Sequence, residues 1–303
     1  MEQESRSYYR PTSLERIFSD LFDIYKRHFG WLFFISFFSL LLLQPVLLRF
    51  QASYTDLLAR LEEDPTLLVT FYRKFLGVAV LMLAYYAFLQ PFIILFVVRR
   101  EEDPSVSVGK IFVETLRKYF LRSFGILLAT VFIMVGGTIL GLLALVIGAL
   151  FSLLFLVVVL YPVEAVLVME DEGIFASIGR SMKLVLKDFW RVTGYILLFL
   201  LFYMMASMIL STITMIPYAG KFLGDLFSSS QDASGLGFLS YMSNPLYVVL
   251  NTLTSALLQP LGPILSLLVY FHVRYLDDRD RQAREEPLPP NTDDDEDIQD
   301  LLR

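Results

Sequence analysis

Cysteine is absent from the 303 residues, and histidine is limited to His28 and His272. Without cysteine the chain can form no disulfide framework and can use no thiol chemistry. Neither histidine has a histidine or cysteine partner at metal-ligand spacing, so we predict no metal site and no cofactor. A nucleophile elbow, a Walker loop and a dinucleotide fingerprint are missing as well, and the sequence therefore predicts no catalytic residue.

Positive charge is not concentrated in any patch of the kind that binds nucleic acid, so we expect no nucleic-acid partner. The net charge of -6 arises at one end of the chain, because residues 277–303 hold eleven acids and only four bases. We expect residues 277–303 to form a disordered acidic cytoplasmic tail. Such a tail would be free to recruit a cytoplasmic protein partner.

Apolar side chains are in excess: 56% of the residues are hydrophobic, with 27 phenylalanines and 16 tyrosines. Residues 124–163 are forty consecutive residues without a charge. As one helix they would extend about 60 Å, whereas a bilayer core is ~30 Å thick and takes about 20 helical residues to cross. The run is therefore predicted to be two membrane spans joined by a short turn near residues 144–148.

Four other apolar segments are long enough to span, at about 31–48, 75–98, 195–217 and 246–273. An amphipathic helical pattern precedes each odd-numbered span, and such helices are suited to the membrane interface. Thr12, with Glu15 three residues later, fits a capping box that would begin the first of them. The predicted fold of residues 1–276 is all-α and integral to the membrane. It has six transmembrane helices in three hairpins, each preceded by a cytoplasmic interfacial helix.

The distribution of lysine and arginine predicts the orientation. Twenty of the 25 cations fall before residue 30, within 99–123 and 170–191, or after residue 273, and five fall in the alternate segments. Because cytoplasmic loops are enriched in lysine and arginine, we predict that both termini are cytoplasmic. Localisation to a bacterial plasma membrane, with many passes, is the expectation.

The order of amphipathic segment, span, turn and span occurs three times, in residues 12–103, 104–172 and 173–276. Each second span carries a proline after a polar or aromatic residue, namely in Gln90-Pro91, Tyr161-Pro162 and Gln259-Pro260, although Gln44-Pro45 in the first span blurs this pattern. Internal triplication would explain this order. The alternative is that features common to any membrane boundary coincide here.

Glu164 lies about 9 Å along the helix from the charge cluster that begins at Glu170. A carboxylate within a membrane is costly and indicates a functional site, unless it reaches the interface or pairs with a cation. Residues beside helix-breaking prolines mark transport sites in some proteins and simple kinks in others. Polar residues such as Asn251 in the last span can also act by helix–helix hydrogen bonding. The predicted polar site comprises Gln90, Tyr161, Glu164, Asn251 and Gln259.

Residues 177–191, with the sequence SIGRSMKLVLKDFWR, follow a segment that runs from Tyr161-Pro162 to Met169-Glu170. This stretch resembles the membrane domain found beside glycerophosphodiester phosphodiesterases and the related YciC-like bacterial inner-membrane proteins. Residues 17–30 and 268–274 are similar to the beginning and end of that family. The resemblance implies a helical plasma-membrane bundle and supplies no catalytic residues. The phosphodiesterase itself is a separate soluble barrel, and this chain is too apolar to form it.

The function expected first is that of a non-enzymatic membrane protein that acts through lipid or protein partners, in membrane organisation or as a complex subunit. The alternative is a transporter or lipid-handling protein with a polar intramembrane cavity. An intramembrane enzyme is disfavoured, because only one acid lies at depth. The alternative requires Glu164, Gln90 and Gln259 to converge on one cavity.

Overall fold

The computed structural model describes residues 8–61, 64, 66–218 and 244–285, which contain helices and no strand. The helices are α1 (Leu14–Leu61), α2 (Leu67–Glu102), α3 (Val108–Glu114), α4 (Phe120–Leu142), α5 (Leu145–Leu160), α6 (Val163–Glu170), α7 (Ile174–Val185), α8 (Phe189–Met215), α9 (Pro245–Leu258) and α10 (Leu261–Glu285). Six helical segments of this part of the chain are long and apolar enough to cross a membrane. The predicted all-α membrane fold is confirmed.

The second span of each hairpin lies inside the bundle and the first lies outside. In the second spans, 50%, 39% and 78% of the most apolar stretch is buried, against 17%, 6% and 11% in the first spans. The outer helices therefore present apolar side chains outward, as a protein surrounded by lipid requires. The core is built mainly from the second half of α2, from α6 and from the first half of α10.

The turn between α4 and α5 lies at residues 143–144, close to its predicted position. The two backbones touch beside it: a Cβ on Gly141 would lie 2.6 Å from the carbonyl oxygen of Gly148. Ser152 Oγ also donates a hydrogen bond of 2.7 Å to the carbonyl oxygen of Gly137. Small residues and hydroxyl groups of this kind hold helices together where no hydrophobic driving force acts between them.

The three repeated prolines have different effects on their helices. Pro91 lies within the continuous helix α2, whereas Pro162 separates α5 from α6 and Pro260 separates α9 from α10. In the second and third hairpins the inner span is therefore broken near its middle. Broken helices leave backbone groups that other side chains must satisfy.

The amphipathic segments before the spans are less distinct than the sequence suggests. In the first hairpin the segment and the span form one helix, and Ile17, Leu21 and Ile24 pack into the protein core. In the second, α3 continues through a π-helical turn, Thr115–Tyr119, into α4. Only α7 is a separate helix, joined to α8 by a 3-10 turn. Location of these segments at the membrane interface stays a prediction.

The capping box expected at Thr12 does not form. Ser13 Oγ accepts the hydrogen bond from the Arg16 N–H, at 3.3 Å, and α1 begins at Leu14. The Thr12 N–H instead donates to His272 Nδ1 at 3.1 Å, and the Thr12 carbonyl oxygen accepts from the Tyr195 hydroxyl. Tertiary hydrogen bonds to α8 and α10 therefore replace the local cap.

The acidic tail begins later than residue 277. Helix α10 continues to Glu285, and Asp277 is only 5% exposed. Asp277 pairs with Arg180 and Lys187, each at 2.7 Å, and with Arg281 one turn later at 3.0 Å. Residues 277–285 are thus a structured part of the bundle, because tertiary and i,i+4 ion pairs hold them in a helix. The rest of the predicted tail, 286–303, lies outside the described residues.

Candidate functional site

A cavity of about 390 Å³ is lined by residues from five of the six spans. This volume is near the lower end of the range of small-molecule sites, which is roughly 300 to 1,000 Å³. The wall is largely apolar. The side chains with polar atoms that line it are Tyr86, Gln90, Thr130, Tyr161, Glu164, Tyr203, Gln259 and Ser266.

Four of the five residues predicted from the sequence converge on this cavity: Gln90, Tyr161, Glu164 and Gln259. Three of them immediately precede the repeated prolines, in α2, between α5 and α6, and between α9 and α10. Equivalent positions of the three proposed units therefore meet at one place. The sequence pattern singled out these residues, although it could not show that the three positions are neighbours.

Asn251 was predicted with these four and does not line the cavity. It lies on α9 eight residues before Gln259, which is about 12 Å along the helix, in the part of the chain that packs on α1 and α8. The adjacent Thr252 Oγ1 accepts a 3.1 Å hydrogen bond from Gln44 Nε2. Thr252 of this polar stretch thus joins α9 to α1, which was the simpler of the two accounts.

Glu164 lies in the first turn of α6 and is 2% exposed. Its Oε1 accepts a 2.9 Å hydrogen bond from Ser123 Oγ of α4, while its Oε2 has no partner among the described residues. The carboxylate neither reaches the interface nor pairs with a cation of the described chain. The start of a helix favours negative charge, which offsets part of the cost of burial.

Two other buried polar atoms at the cavity have no partner within the described ranges, the side-chain oxygens of Gln259 and Thr130. Gln259 is fixed in place through its other end, because Nε2 donates a 2.6 Å hydrogen bond to the Tyr85 hydroxyl. A buried polar atom without a hydrogen bond is costly. Together with Glu164 Oε2, three such atoms face one cavity.

Tyr161 closes the break between α5 and α6 against α10. Its hydroxyl donates to the Gly262 carbonyl oxygen at 3.2 Å, and its own carbonyl oxygen accepts from Ser266 Oγ at 3.1 Å. These bonds satisfy backbone groups that the broken helices leave free. Tyr161 therefore positions the wall of the cavity as well as lining it.

The cavity opens toward the side of the bundle. Two of its lining residues, Tyr86 and Tyr203, are 40% and 37% exposed. They lie about 20 Å from Arg99 and about 18 Å from Arg191 along their helices, which is near mid-bilayer depth. The mouth at Tyr86 and Tyr203 therefore faces the lipid, and Glu164 lies at the inner end.

Sequence reasoning missed Ser123, Thr130, Tyr203 and Ser266 as members of the site. Ser123 was visible only as part of a junction between an amphipathic segment and a span. A single hydroxyl in an apolar helix carries little information, because it can bond to its own backbone as Thr193 does to Phe189 at 2.8 Å.

The charged end of the bundle is a separate region, in which carboxylates are paired. Asp171 forms ion pairs with Lys118 and Arg122, with 2.9 Å from Lys118 Nζ to Oδ2 and 2.9 Å from Arg122 Nη1 to Oδ1. The hydrogen bond from Lys118 lowers the pKa of Asp171 below its usual range, and the charges of Lys118 and Arg122 act in the same direction. Nearby, Glu170 lies between Arg180 and Arg274, at 3.0 and 3.1 Å. These contacts join helix ends.

Within the described ranges no group of three or more histidine or acidic side chains is placed to hold a metal ion. Comparison of the chain with protein-family models, with curated proteins and with solved structures found no match in each case. The resemblance to the phosphodiesterase-associated membrane family stays a prediction.

Proposed function

We propose that this protein is a non-enzymatic, multi-pass plasma-membrane protein that binds a membrane amphiphile in the cavity between its spans. It would thus be a lipid-handling or transport protein. The observation that carries the proposal is the convergence of Gln90, Tyr161, Glu164 and Gln259 on one cavity of about 390 Å³. A protein that acted only by packing against its partners would gain nothing from burying an unpartnered carboxylate at that depth.

The position of the mouth supports an amphiphilic ligand. Tyr86 and Tyr203 are exposed at about mid-bilayer depth, so a molecule dissolved in the membrane can enter from the side. The apolar wall accepts a hydrocarbon chain, and the polar inner end accepts a head group. The cavity is too small for a whole bilayer lipid, so most of the chain would stay outside the bundle.

The chemistry of the lining supports binding without catalysis. Glu164 is the one carboxylate among the described lining residues, and no histidine lies beside it. Hydrolysis of a lipid generally requires an acid and a base, or a nucleophile activated by a base, at hydrogen-bond distance. Membrane lipids are therefore proposed as ligands and not as substrates for a reaction.

The proposed orientation places both termini in the cytoplasm of a bacterial cell, on the strength of twenty cations against five. The described helix ends that carry these cations are joined by ion pairs, such as Arg27 with Glu101 at 2.7 Å. In this orientation Glu164 lies in the cytoplasmic half of the membrane. Recruitment of a cytoplasmic protein by residues 286–303 also stays a proposal.

The test fills the cavity with one side chain. Gly262 lines the cavity, and a Cβ at that position would meet no atom within 4 Å. Gly262→Phe should therefore occupy the cavity without disturbing the backbone. Gly136→Phe is the matched control, because a Cβ on Gly136 also meets no atom within 4 Å and Gly136 does not line the cavity.

Native mass spectrometry of the full-length protein, purified from its membrane, measures the result. We expect the wild-type protein and Gly136→Phe to retain a bound amphiphile after a detergent wash, and Gly262→Phe to lose it. Equal retention by the two variants, or no retained molecule in any of the three proteins, would contradict the proposed function.

A further inference from the structure

We infer that the inner end of the cavity binds a primary ammonium group, so that the preferred ligand is a cationic amphiphile with an amine head. This inference rests on the proposed function and adds the chemical class of the head group. Its basis is the unpartnered carboxylate oxygen of Glu164 at the inner end, together with the charge of the lining.

The three unpartnered oxygens can all accept a hydrogen bond. They are Glu164 Oε2, Gln259 Oε1 and Thr130 Oγ1, and each is buried within the lining of the one cavity. A carboxylate and an amide oxygen are acceptors, and a threonine hydroxyl accepts as well as donates. Thr130 is seven residues, about 10 Å, along α4 from the Ser123 that bonds to Glu164, and Gln259 bonds to Tyr85 beside the mouth. A head group at the inner end therefore meets Glu164, and an ammonium group offers it three N–H donors.

The charge of the lining selects between the possible donors. No lysine, arginine or histidine is among the described lining residues, so nothing on the protein neutralises Glu164 there. A buried ionised carboxylate is stable only when it is paired and hydrogen-bonded. An ammonium head would stabilise the ionised form of Glu164 by pairing with it, whereas an alcohol could only exchange hydrogen bonds with the carboxyl group. A carboxylate or phosphate head would be repelled.

The acceptors are fixed by hydrogen bonds before a ligand binds, which allows them to select the head group of the ligand. Ser123 Oγ fixes one carboxylate oxygen of Glu164 at 2.9 Å and leaves the other free. Tyr85 fixes the amide of Gln259 in the same way, at 2.6 Å. Acceptors that are fixed before the ligand arrives cost less to organise when it binds. Glu164 thus presents a fixed acceptor to a donor-rich cation at the inner end of the cavity.

Binding of radiolabelled dodecylamine to the full-length protein in dodecyl maltoside, measured by scintillation proximity, tests the inference. Unlabelled dodecanol, dodecanoate and ethanolamine serve as competitors. We expect dodecanol and dodecanoate to compete about tenfold more weakly than unlabelled dodecylamine, since a hydrogen bond to a charged group changes affinity by about that factor or more. Ethanolamine, which has no chain, should compete more weakly still.

Variants of the site give the second arm of the test. Glu164→Gln keeps the shape of the side chain and removes its charge. The affinity for dodecylamine should fall about tenfold, and the affinity for dodecanol should be unchanged. Thr130→Val, which removes a hydroxyl at constant volume, should leave dodecylamine affinity close to that of the wild type, because Thr130 lies about 10 Å along α4 from the Ser123 that bonds to Glu164. Glu172→Gln is the matched control, because Glu172 is a carboxylate just beyond the same helix and does not line the cavity; its affinity should equal that of the wild type.

The outcomes separate the two proposals. Equal competition by the three twelve-carbon compounds, or unchanged dodecylamine affinity in Glu164→Gln, would overturn the ammonium site and leave the amphiphile cavity standing. Competition by ethanolamine equal to that by dodecylamine would support the ammonium site and overturn the requirement for a chain. Absence of saturable dodecylamine binding to the wild-type protein would overturn the ammonium site, whereas the native mass spectra decide whether the cavity holds an amphiphile at all.

Discussion

Arg122, at the beginning of the third span, donates a hydrogen bond to Asp171, just after the end of the fourth, with 2.9 Å between Nη1 and Oδ1. The same relationship holds in the other two hairpins: a cation where the first span begins pairs with an acid near the end of the second. The pairs are Arg27–Glu101, Arg122–Asp171 and Lys187–Asp277, at 2.7, 2.9 and 2.7 Å. This equivalence is what a triplicated unit predicts.

A similar correspondence between the three hairpins is found at the cavity. Its lining includes the residues that precede the three repeated prolines, which are Gln90, Tyr161 and Gln259. The units differ two residues after each proline, where they have Ile93, Glu164 and Gly262. In this account a repeated scaffold forms the cavity, and one unit supplies the carboxylate. Gly262 is the residue of the third unit at this position, and a Cβ there would meet no atom within 4 Å.

The first prediction concerns the hydrogen bond that holds Glu164. Ser123→Ala leaves Glu164 Oε1 without its donor, and should lower the free energy of unfolding by about 1 to 3 kcal/mol. The measurement is thermal unfolding of the purified protein in detergent. Ser107→Ala is the control, because Ser107 is exposed and makes no side-chain cap to α3. An equal effect of the two substitutions would show that the buried bond contributes nothing to stability.

The second prediction concerns the close approach of α4 and α5. Gly141→Ala should destabilise the protein by about 1 to 3 kcal/mol, because a Cβ there would lie 2.6 Å from the Gly148 carbonyl oxygen and 2.8 Å from the Cα of Ala149. Gly136→Ala, on the same helix with no atom within 4 Å, should be neutral or stabilising by about 0.5 kcal/mol. Resistance to unfolding by a denaturing detergent compares them. A stable Gly141→Ala would mean that the two helices do not touch at this point.

The third prediction is a dependence on pH. The hydrogen bond from Lys118 is the main cause that lowers the pKa of Asp171 in the folded protein. The ionised Asp171 therefore stabilises the fold at any pH above the ordinary aspartate pKa. This stabilisation is lost as the pH falls through the lowered pKa of the folded protein. Asp171→Asn keeps a residue that tolerates the left-handed conformation found there, at φ 54°. The unfolding temperature of Asp171→Asn should be below that of the wild type at pH 7. The difference between the two proteins should vanish in acid. The effect should be below about 1 kcal/mol, because the pair is partly exposed. A difference that grows in acid would contradict this assignment.

The fourth prediction concerns the end of α10. Asp277→Asn removes the buried partner of Arg180 and Lys187, and should cost about 2 to 3 kcal/mol of unfolding free energy, somewhat less than a fully buried pair. Asp280→Asn, at a partly exposed position three residues later, should cost less than about 1 kcal/mol. Chemical unfolding curves of the two variants measure the difference. If they coincide, residues 277–285 are not held to the bundle as described.

The fifth prediction concerns orientation. The chain has no cysteine, so single-cysteine variants can be labelled cleanly in intact cells. Ser105→Cys, exposed between α2 and α3, should be protected from an impermeant maleimide until the cells are opened. Thr66→Cys, exposed between α1 and α2, should react from outside. The reverse pattern would overturn the proposed cytoplasmic location of both termini.

The sequence was sufficient for the features that depend on length and local pattern. The forty uncharged residues at 124–163 required two spans, and a polar or aromatic residue before each repeated proline marked three walls of the cavity. Glu164 was identifiable because a carboxylate within an apolar segment is rare and costly. These inferences follow from the bilayer, which restricts each segment more strongly than water does.

The remaining features depend on contacts between distant residues. The bond of Thr12 to His272 replaced a local cap, and the partners of Asp277 extended α10 past its predicted end. Asn251 could not be told from Gln259 by sequence, because both are amides in the same span. Only the packing of α9 on α1 and α8 removes Asn251 from the cavity.

The most decisive experiment is a structure of the full-length protein in lipid nanodiscs that contain an amine-headed lipid. We expect head-group density within about 3 Å of Glu164 Oε2. We also expect the attached chain to leave the bundle between Tyr86 and Tyr203. Density for water alone beside Glu164, or a carboxylate that is fully bonded to other protein side chains, would contradict this expectation.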